Sequence, residues 1–200
     1  LDEPRDDLVE RDALAFGSIA HDVLELMGRD DVRESSDAKR LTAFLHGALA
    51  ELARERYGAR PLPAIQLQMA RLERRLEAFA VAQAAERAAG WRVVEVELKL
   101  ETPLAIPKQD PMLITGRIDR IDRHEETGAH RILDYKTSAM AKGPVETHLE
   151  VRRGKIPPPD PAAWRNLQLP LYAHLVPQIR PEFSGAAVGY VLLPRRPDQT

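Results

Sequence analysis

Near residue 90 the hydrophobic period of the chain changes, and that change limits the folds open to it. Before Gly90 apolar residues recur every three or four positions; from Trp91 onward they alternate. The first spacing lines up one stripe of a helix, the second one face of a strand. "RDALAFGSIAHDVLELM" carries Leu14, Ile19, Val23, Leu24 and Leu26 or Met27 at near-helical spacing and predicts a helix over about 12–28. "SSDAKRLTAFLHGALAELARERYG" predicts a second helix, with Ser36 or Asp37 as N-cap and Gly58 as its stop. "AIQLQMARLERRLEAFAVAQAAERAAG" predicts a long third helix ended by Gly90, since Ala, Leu, Glu and Arg all favour helix. Its charged side reads as a solvated face rather than a membrane or partner surface.

Beyond the switch, "WRVVEVELKLE" predicts a strand with Val94, Val96, Leu98 and Leu100 on one face. "MLITGRIDRID" and "HRILDYKTS" predict two more, paired as a hairpin through the polar turn "HEETGA". "GKIPPPDP" (Gly154 to Pro161) predicts a proline-rich loop, and "AAWRNLQLPLYAHLV" a helix that Pro170 starts or kinks. "SGAAVGYVLLP" predicts a closing, buried strand. Helices, then strands, then a helix and a strand imply an α/β fold around a mixed central sheet flanked by helices. With 200 residues, one domain over 1–200 is expected, a helical part at 12–90 and a sheet core at 91–200.

Charge is unevenly placed. Net charge is −2, but residues 1–37 hold four Lys/Arg against twelve Asp/Glu, a balance of −8, which leaves +6 for the rest. A net value near zero argues against a nucleic-acid binder, yet a local basic surface is what phosphate responds to. There is no cysteine, which excludes disulfides, thiolate zinc sites and iron–sulfur clusters and fits a reducing cytoplasm. No apolar run reaches the roughly 18 residues of a membrane span, and no membrane partner is expected. The first residue is Leu rather than Met and the chain stops just after an apolar segment, so a piece of a longer polypeptide is expected.

The residues that suggest chemistry begin with "ILDYKTS". Asp134 and Lys136 stand two apart on a strand and so share a face. Taken alone the pair is a salt bridge. Asp119 of "GRIDRID" lies on the hairpin partner and can join them, and two converging carboxylates repel unless a cation sits between them. Hard oxygen ligands suit Mg²⁺ or Mn²⁺, and a lysine beside such an ion offers positive charge to a phosphate oxygen or to an attacking hydroxide. Asp122, three residues from Asp119, falls on the other strand face and is assigned to an ion pair with an arginine.

In "FGSIAHDVLE", Gly17, His21 and Glu25 stack at i, i+4 and i+8. A helical Gly costs about 1 kcal/mol relative to Ala, which suggests that something approaches that face closely. His21 is then either a neutral imidazole ligand or phosphate contact, or a packed helical histidine. "QLPLY" sets Gln168 and Tyr172 at i and i+4, as contacts to a nucleic-acid backbone or as a core tyrosine with a buried glutamine partner. The remaining five histidines, His148 among them, are left unassigned.

In this order, F-G-x-x-x-H, G-R-I-D-R-I-D, D-Y-K-T and Q-x-x-x-Y resemble the RecB-like (AddB-like) nucleases of the PD-(D/E)XK superfamily, from Gly17 to Tyr172. The resemblance implies a restriction-endonuclease-like core with an added N-terminal helical region. It implies a DNA exonuclease of repair or recombination, acting on single-stranded DNA or free ends with a helicase domain or subunit. By the same resemblance, His21, Asp119, Asp134 and the main-chain carbonyl of Tyr135 would ligate Mg²⁺ or Mn²⁺. Lys136 would position and activate the attacking water. Gln168 and Tyr172 would steady that lysine or the DNA strand, with Arg117 also at the substrate. Glu97 stands where many relatives have a Glu, either as part of the site or as a packed strand residue. Several relatives bracket this domain with cysteines for an iron–sulfur cluster; here none is expected. The chain lacks G-x-x-x-x-G-K-[ST], so it holds no ATP motor of that kind. Two other readings remain: a nuclease-like fold serving only as a DNA-binding or protein-docking module, and a hydrolase of small phosphate esters.

Overall fold

The computed structural model describes residues 4–137, 143–149 and 165–193, the first twelve of these and Glu146 by backbone alone. The chain divides into two compact units. One comprises Leu1–Arg92, Thr137–Ala139 and Leu192–Thr200, the other Val93–Lys136 and Met140–Val191.

The first unit is built on three helices, α1 (Pro4–Arg29), α2 (Ala38–Tyr57) and α3 (Pro63–Ala88). α2 packs against both α1 and α3. The stripes that meet are those of the helical period: Ile19, Val23 and Met27; Leu41, Leu45 and Leu49; Leu72, Leu76 and Phe79, all essentially buried. Boundaries follow local chemistry. Asp37 caps α2 by accepting the Lys39 amide at 2.8 Å, and Gly58 ends it at φ +76°. Pro63 opens α3, and Gly90, at φ +94°, follows its last turn. α1 begins about two turns before the expected residue 12. That leading segment, "PRDDLVER", has no apolar period, but its Pro and acidic residues suit a helix N-terminus. In α3 the consecutive Ala78, Phe79 and Ala80 are all buried, while Arg71, Arg74 and Glu77 stay exposed on the solvated face the charges suggest.

The second unit holds a four-stranded sheet in the order β1 (Trp91–Leu104), β2 (Met112–His124), β3 (His130–Lys136), β4 (Ala187–Leu192). Two helices accompany it, the short α4 (Pro144–His148) and α5 (Gln168–Ile179). β2 and β3 form the expected antiparallel hairpin with Arg120 opposite Leu133 and Asp122 opposite Arg131. The hairpin turn closes with the His124 amide donating to the Ala129 carbonyl at 2.8 Å. Leu169, Tyr172, Leu175 and Val176 of α5 pack on Leu100, Ile118, Ile121 and Ile132 of the sheet. Pro170 sits in the first turn of α5, where its missing N–H is no loss.

Two strand expectations need correction. Val94 is 37% exposed whereas Val93 and Leu100 are buried, so the predicted single face Val94–Val96–Leu98–Leu100 is not one face. The alternation changes phase near Glu97, whose φ of +53° departs from extended backbone. The closing strand β4 is half-buried because it is the last in the sheet order. The proline-rich loop at 154–161 lies outside the described residues. No helix among the described residues is long and apolar enough to cross a membrane.

Candidate active site

Continuing the hairpin register by one residue beyond Arg120–Leu133 sets Asp119 across from Asp134. Asp119 is almost buried, and its Oδ2 accepts the Tyr135 amide at 2.7 Å. Strand pairing thus points this carboxylate at the D-Y-K segment. Glu97 reaches the same place from β1: one of its carboxylate oxygens lies within 4.8 Å of one from Asp119. Its side chain is only 10% exposed, and its Oε2 accepts from Arg117 at 3.1 Å while Arg117 itself is mostly solvated. The positive φ of Glu97 carries its side chain out of the strand's alternation. A residue held in so sparsely populated a conformation persists only where its surroundings require it.

Asp134 and Lys136 settle into one network. The Lys136 ammonium lies 2.7 Å from Asp134 Oδ2 and donates to Gln168 Oε1 at 3.1 Å. Gln168 Nε2 donates in turn to Asp134 Oδ1 at 2.7 Å, so a single amide holds both members of the pair. The same Nε2 lies 3.1 Å from the Tyr172 hydroxyl, which donates to the Arg117 carbonyl at 2.9 Å. Burial raises the Tyr172 phenol pKa, with the Gln168 bond opposing and Asp134, Asp119 and Glu97 adding to the rise. The Tyr172 ring is core, and the half-buried Gln168 beside it presents its amide to the lysine. Of the two sequence readings of "QLPLY", the structure shows the core tyrosine with a glutamine partner. Asp134 is buried whereas Lys136 keeps 29% of its side chain exposed, so the neutralised pair opens toward solvent at its amine.

Asp122 does something else. It is fully buried and accepts from Arg120 at 2.5 and 2.9 Å and from Arg131 at 3.0 Å. The Arg120 pKa is raised: burial opposes its charge, and the neighbouring Tyr135 and Asp122 outweigh that. Asp122 is the structural ion pair that its strand position suggested.

In the first unit, the F-G pair acts on the residue that follows Lys136. A Cβ placed on Gly17 would lie 3.4 Å from Thr137 Oγ1, the close approach its helical position implied. Arg75 of α3 donates to the Thr137 carbonyl at 2.5 Å, and its guanidinium lies over the Phe16 ring at 5.3 Å. His21 sits one turn after Gly17, half-buried on α1, and Glu25 one turn further pairs with Arg29 at 2.6 Å.

Sequence reasoning left Glu97 open and passed over Tyr190 and His148. The Lys136 ammonium lies 4.8 Å from the Tyr190 ring centroid, and the Tyr190 hydroxyl lies 2.8 Å from His148 Nε2. No motif marks either residue, because each reaches the lysine through the fold rather than through chain spacing.

Two acids and an amide-held amine on adjacent strands of an α/β sheet define a polar centre with the makings of a phosphodiester hydrolase. The chain matches the PD-(D/E)XK nuclease superfamily across residues 2–199, and it belongs to that superfamily. That superfamily generally hydrolyses nucleic acids with divalent metal ions, and membership suggests a nuclease. No curated protein matches the chain.

Proposed function

We propose that the protein is a metal-dependent deoxyribonuclease, an exonuclease of the RecB-like (AddB-like) group, with residues 1–200 working as one nuclease domain. Its substrate is single-stranded DNA or DNA with free ends, its setting cytoplasmic repair or recombination, and its partner a helicase domain or subunit. The observation that carries the reading is the Lys136 ammonium held against Asp134 by Gln168, with Asp119 anchored to the amide of the residue between them.

The donors assigned to a divalent ion are His21, Asp119, Asp134 and the Tyr135 carbonyl, with Glu97 beside Asp119. Their chemistry fits: hard oxygens and one imidazole suit Mg²⁺ or Mn²⁺, and the crowding of Asp119 and Glu97 is the kind a cation relieves. When bound, such an ion polarises a phosphoryl oxygen and lowers the pKa of water. Lys136 positions the attacking water, and its partners Gln168 and Tyr172 keep its amine at one place. Arg117, whose side chain is 59% exposed, is the group available to the DNA backbone. In the reaction a water oxygen bonds to phosphorus as the phosphorus–oxygen bond to the leaving sugar breaks. The water proton is released, and the leaving oxygen takes up a proton.

The test is degradation of end-labelled single-stranded DNA with Mg²⁺ by the wild type beside Asp119→Ala and Lys136→Ala. Loss of cleavage in both variants, with binding retained, is expected. Degradation that survives both substitutions refutes the reading, and Mg²⁺-indifferent binding without cleavage by the wild type favours a binding module instead.

A further inference from the structure

His148 takes no part in the network just described, yet it is 4% exposed and has both ring nitrogens engaged. Its Nδ1 lies 2.7 Å from the Asn166 carbonyl oxygen. A carbonyl only accepts, so Nδ1 carries the proton, and in the neutral ring Nε2 is left as an acceptor. The Tyr190 hydroxyl, 2.8 Å away, therefore donates to Nε2. The two rings also stack, 5.7 Å between centroids at 27°. Thr147, the neighbour of His148, hydrogen-bonds the same phenol.

Both arms held by His148 end on Lys136. One is Tyr190, whose ring receives the ammonium at 4.8 Å. The other is the segment before α5. The Arg165 amide donates to the His148 carbonyl at 2.8 Å, and the Asn166 side chain accepts the Gln168 amide at 2.8 Å. That bond sets the first residue of α5, and Gln168 Oε1 accepts from Lys136. The imidazole thus ties the aromatic floor under the amine to the amide beside it. It does so with both polar atoms satisfied and almost no contact with water, which makes the arrangement rigid.

We propose that His148 is a positioning residue for the nuclease reaction. It fixes Tyr190 and the Asn166–Gln168 segment, and through them it holds the Lys136 amine in its working place. The proposal rests on the nuclease reading, and it touches neither the acids nor the DNA.

The test combines His148→Phe, which keeps the stacked ring and removes both hydrogen bonds, Tyr190→Phe, which removes only the hydroxyl, and the double variant. In Mg²⁺-dependent cleavage, each single variant is expected to lose roughly 10- to 100-fold in kcat, as displacement of a reacting group does. KM should stay within about twofold, and the double variant should be no worse than His148→Phe alone, because Tyr190→Phe removes a hydroxyl whose bond to the imidazole is already lost. A second measurement needs no activity. In ¹³C-lysine-labelled protein the Lys136 side-chain signal is expected upfield, under the Tyr190 ring, and should move toward the free-lysine position in His148→Phe. Folded His148→Phe with kcat within about twofold of wild type, a double loss equal to the product of the singles, or an unmoved Lys136 signal would overturn the proposal. Should His148→Phe not fold, full kcat in Tyr190→Phe would overturn it equally. Absence of cleavage by the wild type would count against the nuclease reading alone, because the Lys136 signal still decides the clamp.

Discussion

Asp119 and Asp122 stand three residues apart on β2, both buried, and the proposed function gives them opposite kinds of work. Replacing each by Asn should therefore separate stability from activity. Asp122 lies in a pair with Arg120, at 0% and 2% side-chain exposure, and also accepts from Arg131. Asn keeps the volume but removes the charge and turns an amide N–H toward a guanidinium. Breaking one side of a buried ion pair costs about 3–5 kcal/mol. For a chain of this size that lowers Tm by very roughly 6–20 °C, at about 2–4 °C per kcal/mol. Asp119→Asn should behave otherwise. Its oxygen can still accept the Tyr135 amide, a bond worth about 0.5–1.5 kcal/mol. Losing the charge also relieves its repulsion with Glu97, about 3.5 kcal/mol at 4.8 Å and an effective dielectric near 20 before Arg117 and Lys136 are counted. The bond is kept, and the relieved repulsion is offset by the lost attraction to Lys136 and Arg117, so stability in EDTA should fall by no more than about 1 kcal/mol, while DNA cleavage with Mg²⁺ falls by more than about 100-fold. Urea melts and end-labelled DNA assays on both variants decide it. Strong destabilisation by Asp119→Asn, or a fully stable but inactive Asp122→Asn, would refute the division of labour.

Glu97→Gly should show the same trade at a strained position. Relief of a positive φ favours Gly by about 1–2 kcal/mol, and the greater freedom of Gly in the unfolded chain returns up to about 1. The exposed Arg117 contact adds little, so stability should rise by up to about 1 kcal/mol as Mg²⁺-dependent cleavage falls; a loss of about 2 kcal/mol would disprove the strain. Burial raises the phenol pKa of Tyr135, Tyr172 and Tyr190. The folded protein thus keeps protons that the unfolded chain releases near pH 10, so stability present below that pH is lost as pH rises through the folded values. The urea midpoint should fall above about pH 10, and less steeply in Tyr172→Phe; equal slopes in wild type and variant would exclude Tyr172 as a contributor.

Local chemistry alone determined a good part of this molecule. Asp37 and Gly58 bracket α2 because a carboxylate satisfies an orphan helix amide and glycine accepts positive φ, and neither effect needs the rest of the chain. The β2–β3 hairpin and the shared face of Asp134 and Lys136 are likewise short-range, set by strand period and a polar turn. The glycine before His21 announced a close approach, and the order of the four motifs carried the superfamily.

Tertiary structure decided the rest. Alternation along β1 predicted one apolar face, but a positive φ at Glu97 changes the phase, and nothing in a run of Val and Glu shows where a strand will break its period. Gln168 could have been core or ligand until α5 docked on the sheet and aimed its amide at Asp134 and Lys136. His148 and Tyr190 lie 42 residues apart, and only the fold makes them partners. Propensity and capping act over one turn or one strand pair, so sequence can carry them. Which polar atoms meet across the fold depends on how whole elements pack, and no local pattern encodes that.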